Sequence, residues 1–278
     1  MIVDDQGPVF VLGTGRCGST WVQKYISQHT SVWVWGEHDG FLTKYFQFID
    51  SIKKSQTIRN FSFKHLSLPP NERLSRGDTV TAWMLPFSED DLEAEAARFV
   101  ESMFSKGLPS GRDRWGFKEI RYGAKSGVPA RLVRLFPNCR IAHIVRDPLA
   151  TADSSMRAWH RDQVINFDRN GQGADALEEI YRGYLQRWSD NSAFFNDLEN
   201  RYPQNVKTFK IEELRNEMSA FLEFIKFRNG SDAPTMDGNN EALSISSIPD
   251  YKAWVEKKSF EERHVYIDQA VFHGYMPE

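Results

Sequence analysis

The stretch Val9–Trp21 reads VFVLGTGRCGSTW: an apolar run, a glycine-rich turn, then the opening of a helical pattern. It predicts a buried strand, a loop and a helix N-terminus in direct succession. That is how a backbone holds phosphate. Glycines let the chain approach the anion closely, and the N–H groups of the first helical turn point at it. The helix dipole adds partial positive charge at the same place. Gly13, Gly18 and Thr20 occupy the glycine and hydroxyl positions of a Walker A loop, G-x-x-x-x-G-K-[ST], but Ser19 stands where the lysine belongs. A γ-phosphate transferase needs that lysine. Here the fixed cation is Arg16, inside the loop. The stretch therefore suits a 5′-phosphate group better than transfer from ATP.

Strand-like and helical patterns alternate beyond it. Val32–Trp35 (VWVW), Arg114–Ile120 (RWGFKEI), Arg140–Val145 (RIAHIV) and Val206–Ile211 (VKTFKI) read as strands. Helices are expected over Ser19–His29, Phe41–Ile52, from Ser88 to about Phe104, Val128–Phe136, from Pro148 to about His160, Glu178–Tyr202, Glu212–Phe227 and about Asp250–Arg263. Residues 53–80, broken by Pro69-Pro70, read as a flexible insertion or part of a lid. The alternation predicts an α/β fold, a central parallel sheet flanked by helices on both faces. No repeat or domain boundary interrupts the 278 residues, so a single domain over 1–278 is expected.

The balance of charges excludes some classes. A net charge of −3 argues against a nucleic-acid partner. No run of about 20 apolar residues suggests a membrane span. Two cysteines make no disulfide framework, and the acidic N-terminus MIVDDQGP lacks a signal peptide's basic region. A soluble, cytoplasmic protein is expected.

Ligands of open parallel sheets sit beyond the carboxyl ends of the strands. Those ends carry Arg16, Ser19 and Thr20 after the first strand, Glu37 and His38 after the second, Lys118 and Glu119 in the third, and Arg146 after the fourth, with Ser154 two helical turns on. Three cations and a carboxylate could converge on one anionic ligand.

Two of these segments carry a family resemblance. GTGRCGSTW is similar to the 5′-phosphosulfate loop of the sulfotransferases that use 3′-phosphoadenosine 5′-phosphosulfate (PAPS), and IVRDPLATADSS is similar to their 3′-phosphate motif. The resemblance implies the P-loop NTPase-like, nucleotide-kinase-like sulfotransferase fold. It implies a PAPS site made by Gly15, Arg16, Cys17, Gly18, Ser19, Thr20, Trp21, Arg146 and Ser154, with 3′,5′-ADP as product. Cys17 enters as a small loop residue, and Trp21 as either an adenine-stacking ring or a core tryptophan. The implied reaction resembles phosphoryl transfer in needing mainly positioning and charge stabilisation. Arg16 and Lys118 supply the cations, so no metal is expected.

The acceptor hydroxyl needs a base. Glu37 leads, since it resembles the catalytic glutamate of the tyrosylprotein, heparan-sulfate and trehalose branches. His38 is the alternative, and Glu119 a third. The cytosolic branch's K-T-H motif is absent, and Phe227-Arg228-Asn229-Gly230 is only a faint echo of its R-K-G-x-x-G segment. His143, within a strand, reads as a core histidine.

A small-molecule acceptor is expected, in the manner of a bacterial natural-product tailoring enzyme. Residues 41–110 and 230–278 are expected to shape its pocket or lid. Their aromatics (Phe41, Tyr45, Phe46, Phe48, Phe61, Phe63, Trp83, Phe87) suit a ring-containing molecule or an ordinary core equally. Many members of the family pair into homodimers, but the sequence shows no interface. A nucleotide or small-molecule kinase, and a non-catalytic nucleotide-binding protein, remain the alternatives.

Overall fold

The computed structural model describes residues 7–62, 64, 68–77, 83–226 and 249–276. The chain runs β1 (Val9–Gly13), α1 (Ser19–His29), β2 (Val32–Trp35), α2 (Phe41–Lys53), α3 (Gln56–Phe61), α4 (Pro70–Ser75), α5 (Glu89–Ser105), β3 (Arg114–Glu119) and α6 (Val128–Leu135). It continues with β4 (Arg140–Val145), α7 (Pro148–Trp159), α8 (Arg161–Asn170), α9 (Ala174–Arg201), β5 (Val206–Lys210), α10 (Ile211–Leu214), α11 (Ser219–Phe224), α12 (Pro249–Glu261) and α13 (Arg263–Phe272).

The five strands form one parallel sheet in the order β2-β3-β1-β4-β5. β1 lies at its centre, which explains its unbroken apolar run: a strand covered on both faces has no polar side to show. Side chains alternate between the faces. Phe10, Leu12, Phe117 and Ile141 point to one layer, where α2, α5, α6 and α9 pack. Val9, Val11, Val34, Ala142 and Ile144 point to the other, covered by α1, α10 and α11. A third cluster around Tyr181, Leu185 and Trp188 joins α7, α8 and α9 to α12 and α13.

This order decides where a ligand can sit. β1 hands the chain to α1 on one face. Its neighbours β3 and β4 hand it to α6 and α7, which belong with the opposite layer and the cluster beside it. The connections part at the carboxyl ends of β1, β3 and β4 and leave a crevice there.

Local chemistry explains several boundaries. Ser88 caps α5 with a reciprocal capping box to Asp91. Asp147 caps α7 by accepting from Ala150 N at 2.7 Å. Among the described residues β2 pairs with β3 alone, and α1 satisfies the backbone of Val34: its N–H donates to Ser27 Oγ at 3.1 Å, and its carbonyl accepts from Gln23 Nε2 at 3.0 Å.

Some expectations are corrected. The helix expected over Glu212–Phe227 is two short helices, α10 and α11, because the chain turns at Arg215–Met218 between two separately buried apolar pairs, Ile211/Leu214 and Phe221/Leu222. α8 was not expected, since its polar sequence buries one clear apolar anchor, Val164. Within 53–80, α3 and α4 are helical. No helix among the described residues is long and apolar enough to cross a membrane.

Candidate active site

The loop after β1 is shaped for close approach. Gly18 has φ +91°, and a Cβ there would lie 2.5 Å from Ile211 Cγ1. Arg16 also takes a left-handed conformation, φ +69°. For a non-glycine residue this costs about 1–3 kcal/mol, a strain typical of functional loops. α1 starts from Gly18 with no side-chain cap, so no hydroxyl competes with an anion for its first turn. Ser19 is buried against the Cys17 thiol, and Thr20 is exposed. Cys17 itself points into the core under the loop. Burial pushes its thiol up, against the opposing pull of Ser19 and the Lys118 ammonium. Trp21 is half-buried, with its ring 5.7 Å from Tyr25.

The loop and the turn after β4 meet. Arg16 Nε donates to Ser154 Oγ at 3.1 Å. Arg146 Nη1 lies 3.4 Å from the carbonyl oxygen of Arg16. Two segments 130 residues apart in sequence thus place two guanidinium groups and a hydroxyl at one crevice. Arg16 leans across from the loop to α7, spanning both anion positions that the resemblance implies.

On the other side of β1 lies a charged network. Lys118 in β3 is nearly buried and pairs with Glu37 Oε1. Arg121 Nη1 holds the other oxygen of Glu37 at 3.0 Å and also reaches Glu119 Oε1 at 2.8 Å, while Arg121 Nε lies 3.3 Å from Asp39. Both Glu37 oxygens are therefore oriented by cations, and each keeps a lone-pair direction for a further donor. The Glu37 side chain is one-third exposed. The Lys118 ammonium also pulls on the Cys17 thiol under the loop.

Glu119 and His38 face inward. Glu119 is fully buried and accepts from the backbone N–H groups of His38 (3.2 Å), Gly40 (2.9 Å), Ile120 (2.9 Å) and Arg121 (3.2 Å). Burial opposes its ionisation, but Arg121 and these N–H groups outweigh it and hold the carboxyl below its usual range. With its lone pairs taken, it pins the β2–α2 turn. His38, the alternative base, is placed in a cage of Phe41, Phe104, Phe117 and Tyr122, with Nε2 2.7 Å from the Tyr122 hydroxyl. Burial pushes its imidazole below the ordinary value despite Glu119 nearby. Successive residues after a strand point apart, and here Glu37 faces the crevice while His38 fills the core.

Two residues of the crevice escaped the sequence reading. Arg121 lies two positions past the β3 end in KEIR, and only the folded turn shows that it binds three carboxylates. Trp159 ends α7, half-exposed, with its ring edge over Gly15 where any Cβ would collide. A Trp five residues after Ser154 is the one signal that could have flagged it.

The expected acceptor-pocket aromatics divide. Phe41, Tyr45 and Phe46 pack in the main core, the second of the two readings open to them. Phe48 and Trp83 are exposed. Phe63, Phe227-Arg228-Asn229-Gly230 and residues 230–248 lie outside the described residues. His143 is buried and stacked on Phe195 with centroids 4.0 Å apart, as a core histidine would be.

A family model described as "Sulfotransferase family" matches residues 8–206, well over half of the chain, from the start of β1 to the start of β5. The chain belongs to the sulfotransferase family. The sulfotransferase is similar in fold to the sulfotransferase domain of the Synechococcus PCC 7002 olefin synthase, with a TM-score of 0.50 and 13% identity over 99% of this chain and 98% of that one. A sulfotransferase from Alicyclobacillus acidocaldarius aligns at a TM-score of 0.47 and 16% identity, covering 94% and 95% of the two chains. A mouse sulfotransferase complexed with PAP aligns at 0.39 and 14%, covering 92% and 64%. No curated protein matches the sulfotransferase in sequence.

Proposed function

We propose that this sulfotransferase moves the sulfuryl group of PAPS to a hydroxyl of a small-molecule acceptor. The observation that carries the reading is the meeting of the two arginine segments: Arg16 on Ser154, and Arg146 on the Arg16 backbone. That meeting of one loop and one strand-end turn supports two anion positions side by side, the requirement of a nucleotide phosphorylated at both 5′ and 3′.

In this reading the backbone from Gly15 to Thr20 cradles the 5′-phosphosulfate. Arg146 holds the 3′-phosphate through its planar pair of N–H groups, with Ser154 on a further oxygen. Glu37 accepts the acceptor's hydroxyl proton. The acceptor oxygen then forms a bond to sulfur as the sulfur–oxygen bond to the 5′-phosphate breaks in line, and 3′,5′-ADP departs carrying the bond's electron pair. Arg16 and Lys118 offset negative charge on the sulfuryl and bridging oxygens. Lys118 and Arg121 fix the Glu37 carboxylate, so its geometry is set before the acceptor arrives. Trp159, over the loop at the mouth of the crevice, offers a flat apolar wall beside the reacting group. A small molecule with a ring next to its hydroxyl, as in natural-product tailoring, would match it.

The test is thermal stability with saturating 3′,5′-ADP, against ADP and ATP with magnesium. A ligand at about 100 times its dissociation constant stabilises by about 2.7 kcal/mol, which raises the midpoint by several degrees. A shift with 3′,5′-ADP alone is expected. A shift only with ATP replaces this reading by a kinase, and no shift with any of them removes the nucleotide site.

A further inference from the structure

The peptide group that follows Arg146 is held from both sides. Its carbonyl oxygen accepts from Trp188 Nε1 of α9 at 2.9 Å, with Thr151 Oγ1 at 3.5 Å. Its N–H, on Asp147, donates to Glu212 Oε1 of α10 at 3.2 Å. These contacts fix the two backbone dihedrals on either side of that peptide. They set where the Arg146 side chain leaves the strand and, through the Asp147 cap, where α7 and Ser154 begin.

One residue joins both sides of this clamp. Tyr275, just past α13, donates its hydroxyl to Glu212 Oε2 at 3.0 Å. Its ring meets the Trp188 ring edge-on at 6.3 Å. His273 meets the same indole at 6.0 Å, and Lys210 Nζ sits 5.4 Å from the Tyr275 ring centre. Burial, reinforced by Glu212, pushes the Tyr275 hydroxyl up, so it stays a donor. Trp188 is buried, whereas Glu212 is exposed, and without Tyr275 nothing described would restrain its second oxygen. Among the described residues, none of the three makes a hydrogen bond, ion pair or ring contact with a crevice side chain. Tyr275 and Glu212 also lie beyond the 8–206 span that the family model matches.

We propose that Tyr275, acting through Glu212 and Trp188, is a positioning residue for Arg146 and so sets the enzyme's preference for a 3′-phosphorylated nucleotide. This rests on the PAPS reading above. The contribution falls first on the 3′-phosphate: the clamp grips the Arg146 peptide itself, whereas the 5′ loop, carried by β1 and α1, meets that segment through the Arg16 contacts with Arg146 and Ser154 and through Ile211 against Gly18.

Calorimetry with 3′,5′-ADP and 5′-AMP, which differ only in the 3′-phosphate, tests it on the full chain. The wild type is expected to prefer 3′,5′-ADP by at least about 100-fold, and Arg146→Ala to erase most of that preference. Tyr275→Phe keeps the ring and removes the hydroxyl. It is expected to weaken 3′,5′-ADP by about 3- to 10-fold while leaving 5′-AMP within about twofold. Glu212→Ala should behave alike, and Glu212→Gln, which keeps an acceptor for Asp147 N, should recover most of the loss. An unchanged preference in both Tyr275→Phe and Glu212→Ala overturns the proposal, as does equal weakening of both ligands. No preference in the wild type overturns it together with the PAPS reading, whereas a preference lost in Arg146→Ala but intact in the clamp variants overturns the proposal alone.

Discussion

At the β1–β4 side of the crevice, an anion would be met by backbone: an uncapped helix start, a strained arginine and a glycine pressed on Ile211. At the β2–β3 side, four charged side chains, Glu37, Lys118, Arg121 and Glu119, hold one another before any ligand arrives. The first half is a mould whose shape is written locally in the chain. The second is a balance of charges that only the fold assembles. They should therefore fail differently, the first in binding and the second in rate or stability.

The largest separation is expected at Glu37. Glu37→Gln should lower sulfuryl transfer by about 10²- to 10⁴-fold, the range of a lost general base. Its affinity for 3′,5′-ADP should stay within about twofold of wild type by calorimetry. A variant retaining near-normal turnover would remove Glu37 from the chemistry and make its network purely structural. Next comes Lys118, which pairs with Glu37 and pulls on the thiol under the loop. Lys118→Met should cost about 10²- to 10³-fold in turnover, as for other lost charge-stabilising groups. It should also weaken nucleotide binding slightly, so a change in acceptor KM alone would confine Lys118 to the β2–β3 side.

Glu119→Gln tests the inward half. Removing a buried acceptor of several N–H groups should cost about 1–3 kcal/mol of stability, read by denaturant unfolding. The native carboxyl sits below its ordinary 4.5, so the unfolded chain binds more protons in that range. The contribution of Glu119 should be whole above pH 4.5 and disappear as pH falls through the depressed native value. Acid unfolding of wild type and variant should then converge at low pH. Curves that stay parallel would show that the carboxylate does not hold the turn. The smallest effect is expected at His38. His38→Phe keeps an aromatic ring in the cage and should change turnover by less than about threefold. A loss as large as that of Glu37→Gln would reverse their roles.

The same division explains what was legible in the sequence. The strands, the parallel sheet and the loop could be read because each is a contiguous pattern: apolar runs for buried strands, glycine spacing for the turn. Arg146 and Ser154 could be singled out because strand, turn and first helical turns lie in one dozen residues. His38 and Glu119 ranked behind Glu37 only through the family resemblance, because all three are polar groups at strand ends and only side-chain direction separates them. Arg121 carries no local signature, and Trp159 offers only its place five residues after Ser154. The aromatic residues of α2 could not be assigned to pocket or core because both draw on the same residue types.

The buried Cys17 has a consequence of its own. It lies under the loop on the α1 face, whereas Cys139 lies in the core on the α6 face, and these are the only two cysteines. Burial pushes both thiols up, Cys139 to about 12, so neither offers a reactive thiolate while its layer stays closed. Alkylation at each position therefore times a separate local opening. The chain carries one clock on each side of the sheet. A nucleotide that stiffens the loop should slow the clock at Cys17 and leave the one at Cys139 running at its own pace.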